Sequence, residues 1–255
     1  MTKEPEANYS KEIVFGEFHN KTKNYFSGPK SELPEESGGW CDYMVELEFF
    51  KSMPEGIRKY AWFLTKVTMT GQERNPETGR YPLLNWDDPA TNQKHPYWKK
   101  NIESSDWVFN YDDGYYETKG ISSASGKTRM IFRYADILLL YAEAVAYGTK
   151  SIDDLAFDCM WRVQERAGVP LISKDVTKEY FQKAVLDERR WETAGMEHSC
   201  MGRFFTMQRH EILHLQKNYR DAAELSLNPN LTLSEEFYYF PIPDNELLIV
   251  PGLKD

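Results

Sequence analysis

A mainly α domain is predicted for this chain, on three observations. Between residues 131 and 215, apolar residues recur at helical spacing in segments that Gly or Pro closes. Strand-like alternation is confined to short patches such as Glu12 to Phe18. Residues 71–130 carry Asn, Asp, Gly and Pro with no sustained period, which reads as long irregular loop. The expected fold is therefore helical, with long irregular loops and few short strands.

Taken in order, Ile13, Phe15 and Phe18 make the first strand. Residues 41–52 read as a helix, because Tyr43, Met44, Leu47 and Phe50 share a face and Pro54 and Gly56 stop it. Residues 60–70 alternate as a strand. The helix over 131–147 is apolar nearly all round, which argues for central burial, and Gly148 ends it. Ser151, with Asp154 three residues on, is the expected cap of the next helix. Ile152, Leu155, Cys159, Val163 and Ala167 line its face, and Gly168 and Pro170 end it. The short connection between these two predicts an antiparallel helical hairpin. A third helix runs from about Thr177 to Ala194, with Phe181, Ala184, Leu186 and Trp191 as core. A less regular helical segment covers 197–215. Phe237 to Pro251 reads as strand or extended chain with a turn at Pro241-Ile-Pro243. No internal repeat is evident.

Bulk properties exclude some functions. A chain of 255 residues buries one sizeable core, so a single domain over 1–255 is expected. The apolar share of 41% places it among folded proteins. The formal charge of −9 argues against nucleic acid, which needs clustered Lys and Arg. Cys41, Cys159 and Cys200 form no metal-type pair, and their odd number argues against a disulfide framework. No run approaches the roughly 18–20 apolar residues of a membrane span. The longest apolar stretch, Ile137 to Tyr147, is broken by Glu143. The first residues hold no apolar signal core and no lipobox cysteine.

Arg133, Asp136 and Glu143 are charges on an otherwise apolar helix, and buried charge needs a partner. Arg162, Arg166, Arg189 and Arg190 are available, so ion pairs that orient the helices are expected.

Four segments in fixed order carry a family resemblance. They are Arg133-Tyr-Ala-Asp-Ile-Leu-Leu-Leu-Tyr-Ala-Glu-Ala144, Trp161-Arg-Val-Gln-Glu-Arg-Ala-Gly168, Leu186-Asp-Glu-Arg-Arg-Trp-Glu192 and Phe240-Pro-Ile-Pro-Asp-Asn-Glu-Leu247. Together they resemble the carboxy-terminal half of the SusD/RagB family, most strongly over 129–251 and more weakly over 12–60. Met53-Pro-Glu-Gly-Ile-Arg58 resembles the family's D-x-R segment, with Glu55 in the aspartate's place. The chain departs from the family pattern after Trp191. Glu197-His198 replaces Glu-Gly, Arg203 stands near the expected arginine, and no Asp-Leu pair follows.

The resemblance implies a glycan- or nutrient-binding outer-membrane lipoprotein of Bacteroidetes, exposed at the cell surface. Such a protein is a lid on a SusC-like, TonB-dependent transporter and passes oligosaccharide into it. It implies no enzyme activity and no cofactor. It also implies that signal peptide, lipid anchor and an amino-terminal TPR-like half lie outside this sequence. The anchor would be the only membrane link, and helices of that half would cover part of the apolar surface.

The candidate ligand surface is the region 71–130. Eight aromatics fall in the 31 residues from Trp86 to Tyr116, far denser than the 15% of the whole chain. They are Trp86, Tyr97, Trp98, Trp107, Phe109, Tyr111, Tyr115 and Tyr116. They stand among Asn, Asp and Gly, not on a helical face. Flat rings pack on the C–H faces of sugars while polar neighbours bond hydroxyls. Trp98, Trp107 and Tyr116 are the first candidates for contact with an oligosaccharide or polysaccharide. Trp86 and Tyr111 join them, and Asn101 and Asp106 supply polar help. The competing reading is that these rings anchor the loop to the core.

Two catalytic patterns remain. His210-Glu-Ile-Leu-His214 matches H-E-x-x-H, so a zinc hydrolase using His210, Glu211 and His214 is an alternative if a packed helix and a third ligand exist. Asp87-Asp88 and Asp112-Asp113 are adjacent carboxylates, a spacing that suits turns better than the separated pair of a glycosidase. A subunit whose aromatics face a protein partner is the other alternative.

Overall fold

The computed structural model of the chain describes residues 10–19, 29–100, 107–110, 112–118, 126–195, 201–215, 220–227, 242–250 and 252. The architecture is mainly α with a few short strands, as expected. By internal contact the chain divides into two compact units, Met1–Gly202 and Arg203–Asp255.

The first unit is centred on three helices, α3 (Tyr134–Tyr147), α4 (Asp154–Ala167) and α5 (Lys178–Thr193). α3 packs on both others. Their core holds Leu139, Ala142, Met160, Val163, Phe181 and Val185. α5 starts where Thr177 accepts the Tyr180 N–H at 3.2 Å and stops at Ala194, close to the sequence expectation. α4 is capped not by Ser151 but by Asp153, whose carboxylate accepts the Ala156 N–H at 2.8 Å. Asp is as good an N-cap as Ser, and the start at Asp153 turns Leu155 outward while Ala156, Phe157 and Cys159 go in.

α3 is not buried all round. Tyr134, Ile137, Tyr141 and Tyr147 are exposed. Tyrosine tolerates this because its hydroxyl finds partners at the rim. The Tyr141 hydroxyl donates to Asp153 at 2.9 Å, and the Tyr134 hydroxyl accepts from Arg162 at 3.0 Å.

A buried charge network ties these helices to shorter elements. α2 (Ile57–Trp62) supplies Arg58, whose Nη1 lies 2.5 Å from Glu188 and 3.1 Å from Glu192. Arg133 closes β8 (Arg129–Arg133); its Nη1 lies 2.8 Å from Glu192 and its Nη2 donates to the Glu192 carbonyl at 2.7 Å. Arg166 joins at 2.7 Å and reaches Glu12 at 2.6 Å. Asp136 accepts the Arg133 N–H at 2.7 Å, and Glu143 pairs with Arg189 at 2.8 Å. The charges of this region are thus paired, as buried charges require. Glu12 also draws in β1 (Ile13–Glu17), which pairs antiparallel with β8.

Elsewhere the expected elements shift. Residues 41–46 are not helical: the Cys41 and Tyr43 N–H groups donate to the Leu33 and Ser31 carbonyls, and the Val45 N–H donates to the Pro96 carbonyl. Glu46 then caps a shorter helix, α1 (Leu47–Ser52). The predicted 60–70 strand begins as the end of α2 and continues as β2 (Phe63–Leu64) and β3 (Lys66–Thr68). The 71–130 region contains β4 (Leu83–Asn85), β5 (Tyr97–Trp98), β6 (Trp107–Phe109) and β7 (Tyr116–Thr118), paired antiparallel as β3–β4, β2–β5 and β6–β7.

The second unit holds α7 (Ala222–Leu227) and α8 (Asp244–Ile249); α6 (Met201–Arg209) straddles the boundary. Residues 244–249 are helical, not extended, with Pro243 at the N-cap. Residues 237–241, which include Pro241, and Glu197 and His198 lie outside the described residues. Among the described residues, no helix is long and apolar enough to cross a membrane.

Candidate functional site

The aromatic-rich region is held down by its own rings. Tyr116 is 0% exposed and packs with Leu33, Leu64, Val67, Met69 and Tyr97. Its hydroxyl shares a 2.8 Å hydrogen bond with Ser37, and its carbonyl accepts from Thr68 at 2.6 Å. Burial pushes its phenol well above the usual tyrosine range. Trp98 is 9% exposed, with its ring centroid 5.3 Å from Phe63 and 6.2 Å from Phe49. Neither residue offers a free face to a sugar. The expectation of contact is corrected for both, since their apolar area is already buried against the core.

Trp86 is half-buried and stands edge-on to Phe50 at 5.8 Å. Trp107 begins β6, its backbone paired with Thr118 of β7. Asn101, Asp106 and Tyr111 lie outside the described residues. The carboxylates of the region form turns: Asp88 accepts the Ala90 N–H at 2.8 Å, and Asp113 accepts the Tyr115 N–H at 2.9 Å and pairs with Arg80 at 2.6 Å. The Tyr115 N–H and Arg80 hold the Asp113 carboxyl below its usual range. Arg80 and Arg74 also lie over the Tyr115 and Tyr81 rings, at 4.8 and 4.0 Å.

The structure instead brings together a cavity of about 210 Å³ beside this region, in the first unit. α1 gives it Phe50, the turn after α1 gives Glu55, and α2 gives Lys59 and Tyr60; β2 and β3 give Phe63, Leu64 and Lys66; Lys99 and Gly114 close it. Tyr60 is 54% exposed. Lys99, only 3% exposed, holds its ammonium 4.7 Å from the Tyr60 ring centroid. Burial draws Lys99 down to about 8. Lys59 pairs with Glu55 at 2.6 Å and lies over Phe50 at 4.6 Å. Lys66 donates to Asn85 at 2.5 Å. The arrangement is an aromatic ring open to solvent with the Lys99 ammonium beside it and two further lysines in the cavity lining. It suits a polar ligand with a flat apolar face.

Tyr60 and Lys99 escaped sequence reasoning because Tyr60 falls outside the aromatic-rich window. Its signal was local: an aromatic at the outward position of a short helix whose inward positions are Arg58, Lys59 and Trp62.

A second cavity of about 460 Å³ lies between the 169–176 connection and α5. Half of its lining residues are aliphatic, and Gln164, Asp187 and Glu188 on its wall are engaged within the fold. Gln164 accepts the Ile172 N–H at 2.9 Å, Asp187 pairs with Lys183 at 2.5 Å, and Glu188 pairs with Arg58.

The H-E-x-x-H segment does not form the helix a zinc site needs. α6 ends at Arg209, and Glu211 adopts a left-handed φ of 54°. His210 and His214 therefore do not share one helical face. Among the described residues, no group of three or more His, Cys, Asp or Glu is placed to hold a metal ion.

The model of the SusD family matches residues 11–255. No curated protein matches in sequence. A SusD superfamily protein from Parabacteroides distasonis superposes with a TM-score of 0.66 at 18% identity, covering 94% of this chain and 48% of that one. Surface glycan-binding protein A from Bacteroides thetaiotaomicron gives 0.62 at 16% identity, covering 98% and 52%. The same protein in complex with laminarihexaose gives 0.58 at 17% identity, covering 94% and 50%. At such identities the likeness is one of fold, and this chain spans about half the length of these structures.

Proposed function

The chain belongs to the SusD family, and from that premise we propose that it binds glycan at the bacterial outer-membrane surface and hands it to a SusC-like, TonB-dependent transporter. The observation that carries the reading is the cavity at Tyr60, where an exposed ring stands beside the Lys99 ammonium and shares the lining with Lys59 and Lys66. A sugar stacks its C–H face on such a ring and accepts hydrogen bonds at its hydroxyls. Further support comes from the laminarihexaose complex of a protein with the same fold. Trp86, which packs edge-on to the cavity residue Phe50, and, by sequence, Trp107 are further members of the proposed surface. Asn101, Asp106 and Tyr111 belong to the same proposed surface by sequence.

Binding on this reading uses no covalent chemistry and no cofactor. On this reading the protein is a surface lipoprotein of the outer membrane. Each sugar contributes modestly, because hydroxyls are well solvated before binding and stacking adds only about 1 kcal/mol beyond area burial. Affinity electrophoresis through gels containing soluble polysaccharides tests the reading. Retardation of the folded chain by at least one glycan is expected; migration unchanged in every gel contradicts it.

A further inference from the structure

Large apolar side chains stand in the open just before α1. Trp40 is 51% exposed and Tyr43 50%, and Met44 is exposed beside them. Single exposed apolar residues are ordinary, but three within five positions call for an explanation. None of them lines the Tyr60 cavity. Their backbone is fixed. The Trp40 N–H donates to the Lys30 carbonyl at 2.8 Å, the Cys41 N–H to the Leu33 carbonyl at 3.0 Å and the Tyr43 N–H to the Ser31 carbonyl at 2.9 Å. Gly39 runs so close to Leu33 that a Cβ there would lie 2.3 Å from the Leu33 carbonyl oxygen. In a regular strand Tyr43 would point to the same side as Cys41, which packs on the cluster of Leu33, Leu64 and Val67. Instead Cys41 takes a left-handed φ of 55°, an unfavourable conformation for a residue with a Cβ. Asp42, Tyr43 and Met44 after it are all exposed. Such strain persists where the surrounding structure enforces it, and it collects at ligand-contact sites.

Trp and Tyr on a fixed backbone offer flat contact area with little ordering left to do on binding. The two rings are three residues apart, so their Cα atoms are at most about 11 Å apart, within reach of one short oligosaccharide. The Lys30 ammonium lies 5.3 Å from the Trp40 ring centroid, and the exposed Asp42 carboxylate falls between the two rings in sequence. Stacking faces thus stand with a donor and an acceptor, the combination that sugar rings and hydroxyls use. We propose that Trp40 and Tyr43 form a second sugar-stacking surface for a glycan, built from residues other than those of the Tyr60 cavity. The inference rests on the glycan-binding reading and adds a site to it.

Affinity electrophoresis of the full chain through gels containing laminarin, xylan, galactomannan or soluble starch provides the test. The polysaccharide that retards the wild type most is then used with Trp40→Ala/Tyr43→Ala. That variant is expected to lose about fivefold or more in affinity, as the loss of two stacking contacts implies. Its melting temperature stays that of the wild type, because both side chains are exposed. Trp40→Phe keeps a flat ring and is expected to keep most of the affinity. Tyr43→Ser alone is expected to lose several-fold, which keeps the test sound should the double variant fold poorly. A folded variant of either kind that is retarded like the wild type would overturn the inference and leave glycan binding standing. A folded wild-type chain that migrates unchanged in every gel would overturn the inference together with the reading beneath it.

Discussion

Glu192 shows how single residues hold this molecule together. It is buried, and its carboxylate meets Arg58, Arg133 and Arg166 from three other elements. Its protonation balance is drawn two ways: burial raises the carboxyl, and the arginines together bring it below the usual range. Removing one member of such a set strands buried charge, which costs about 3–5 kcal/mol. Urea denaturation of Glu192→Gln is expected to show a loss of that size. The exposed Arg74–Glu117 pair, at 2.5 Å, is expected to contribute far less in the same assay. Lys99 makes the opposite case. Burial lowers it from 10.5 to about 8, so the unfolded chain holds the proton more tightly between those values. Its contribution to stability therefore rises as pH climbs from about 8 to 10.5. Lys99→Met is expected to melt about 2–4 °C higher than the wild type at pH 7, on the order of 1 kcal/mol. The gap closes by pH 10; a gap constant with pH contradicts the burial argument.

Elements were legible where their signals are local. α4 and α5 announce themselves by apolar period, by polar caps and by stops, and both lie near their expected bounds. α2 did not, because it has six residues and no Gly or Pro stop. What holds it is distant in sequence: Arg58 bonds α5, and Gly56 approaches the end of α4 so closely that a Cβ there would lie 2.7 Å from the Ala167 carbonyl oxygen. Residues 41–46 mislead for the same reason, since the backbone partners that hold them lie near residues 31–33 and 96. Two substitutions test the local signals by thermal melting. Asp153→Ala removes the α4 cap and is expected to cost about 1 kcal/mol. Gly168 has a left-handed φ of 68°, and a Cβ there would sit 3.1 Å from the Ile57 backbone nitrogen. Gly168→Ala is expected to cost about 1–2 kcal/mol; no loss would show that the turn relaxes freely.

At the scale of the molecule, the family was readable from four ordered segments, and the direction in which the rings face was not. Composition locates rings along the chain but not the direction they face. Trp98 and Tyr116 face the core, while Tyr60, outside the aromatic-rich window, faces solvent. Burial depends on contacts between segments far apart, such as Tyr116 with Ser37, and no local period encodes them. On the proposed function, glycan binds at Tyr60. The most direct measurement is a tryptophan-fluorescence titration of the full chain with glycan panels, wild type against Tyr60→Ala. Trp86 beside Phe50 and Trp62 near Lys100 provide reporters around the cavity. The account predicts a saturable response that Tyr60→Ala weakens about tenfold or more without lowering the melting temperature. A saturable response with unchanged affinity in the folded variant would place the glycan elsewhere and contradict it.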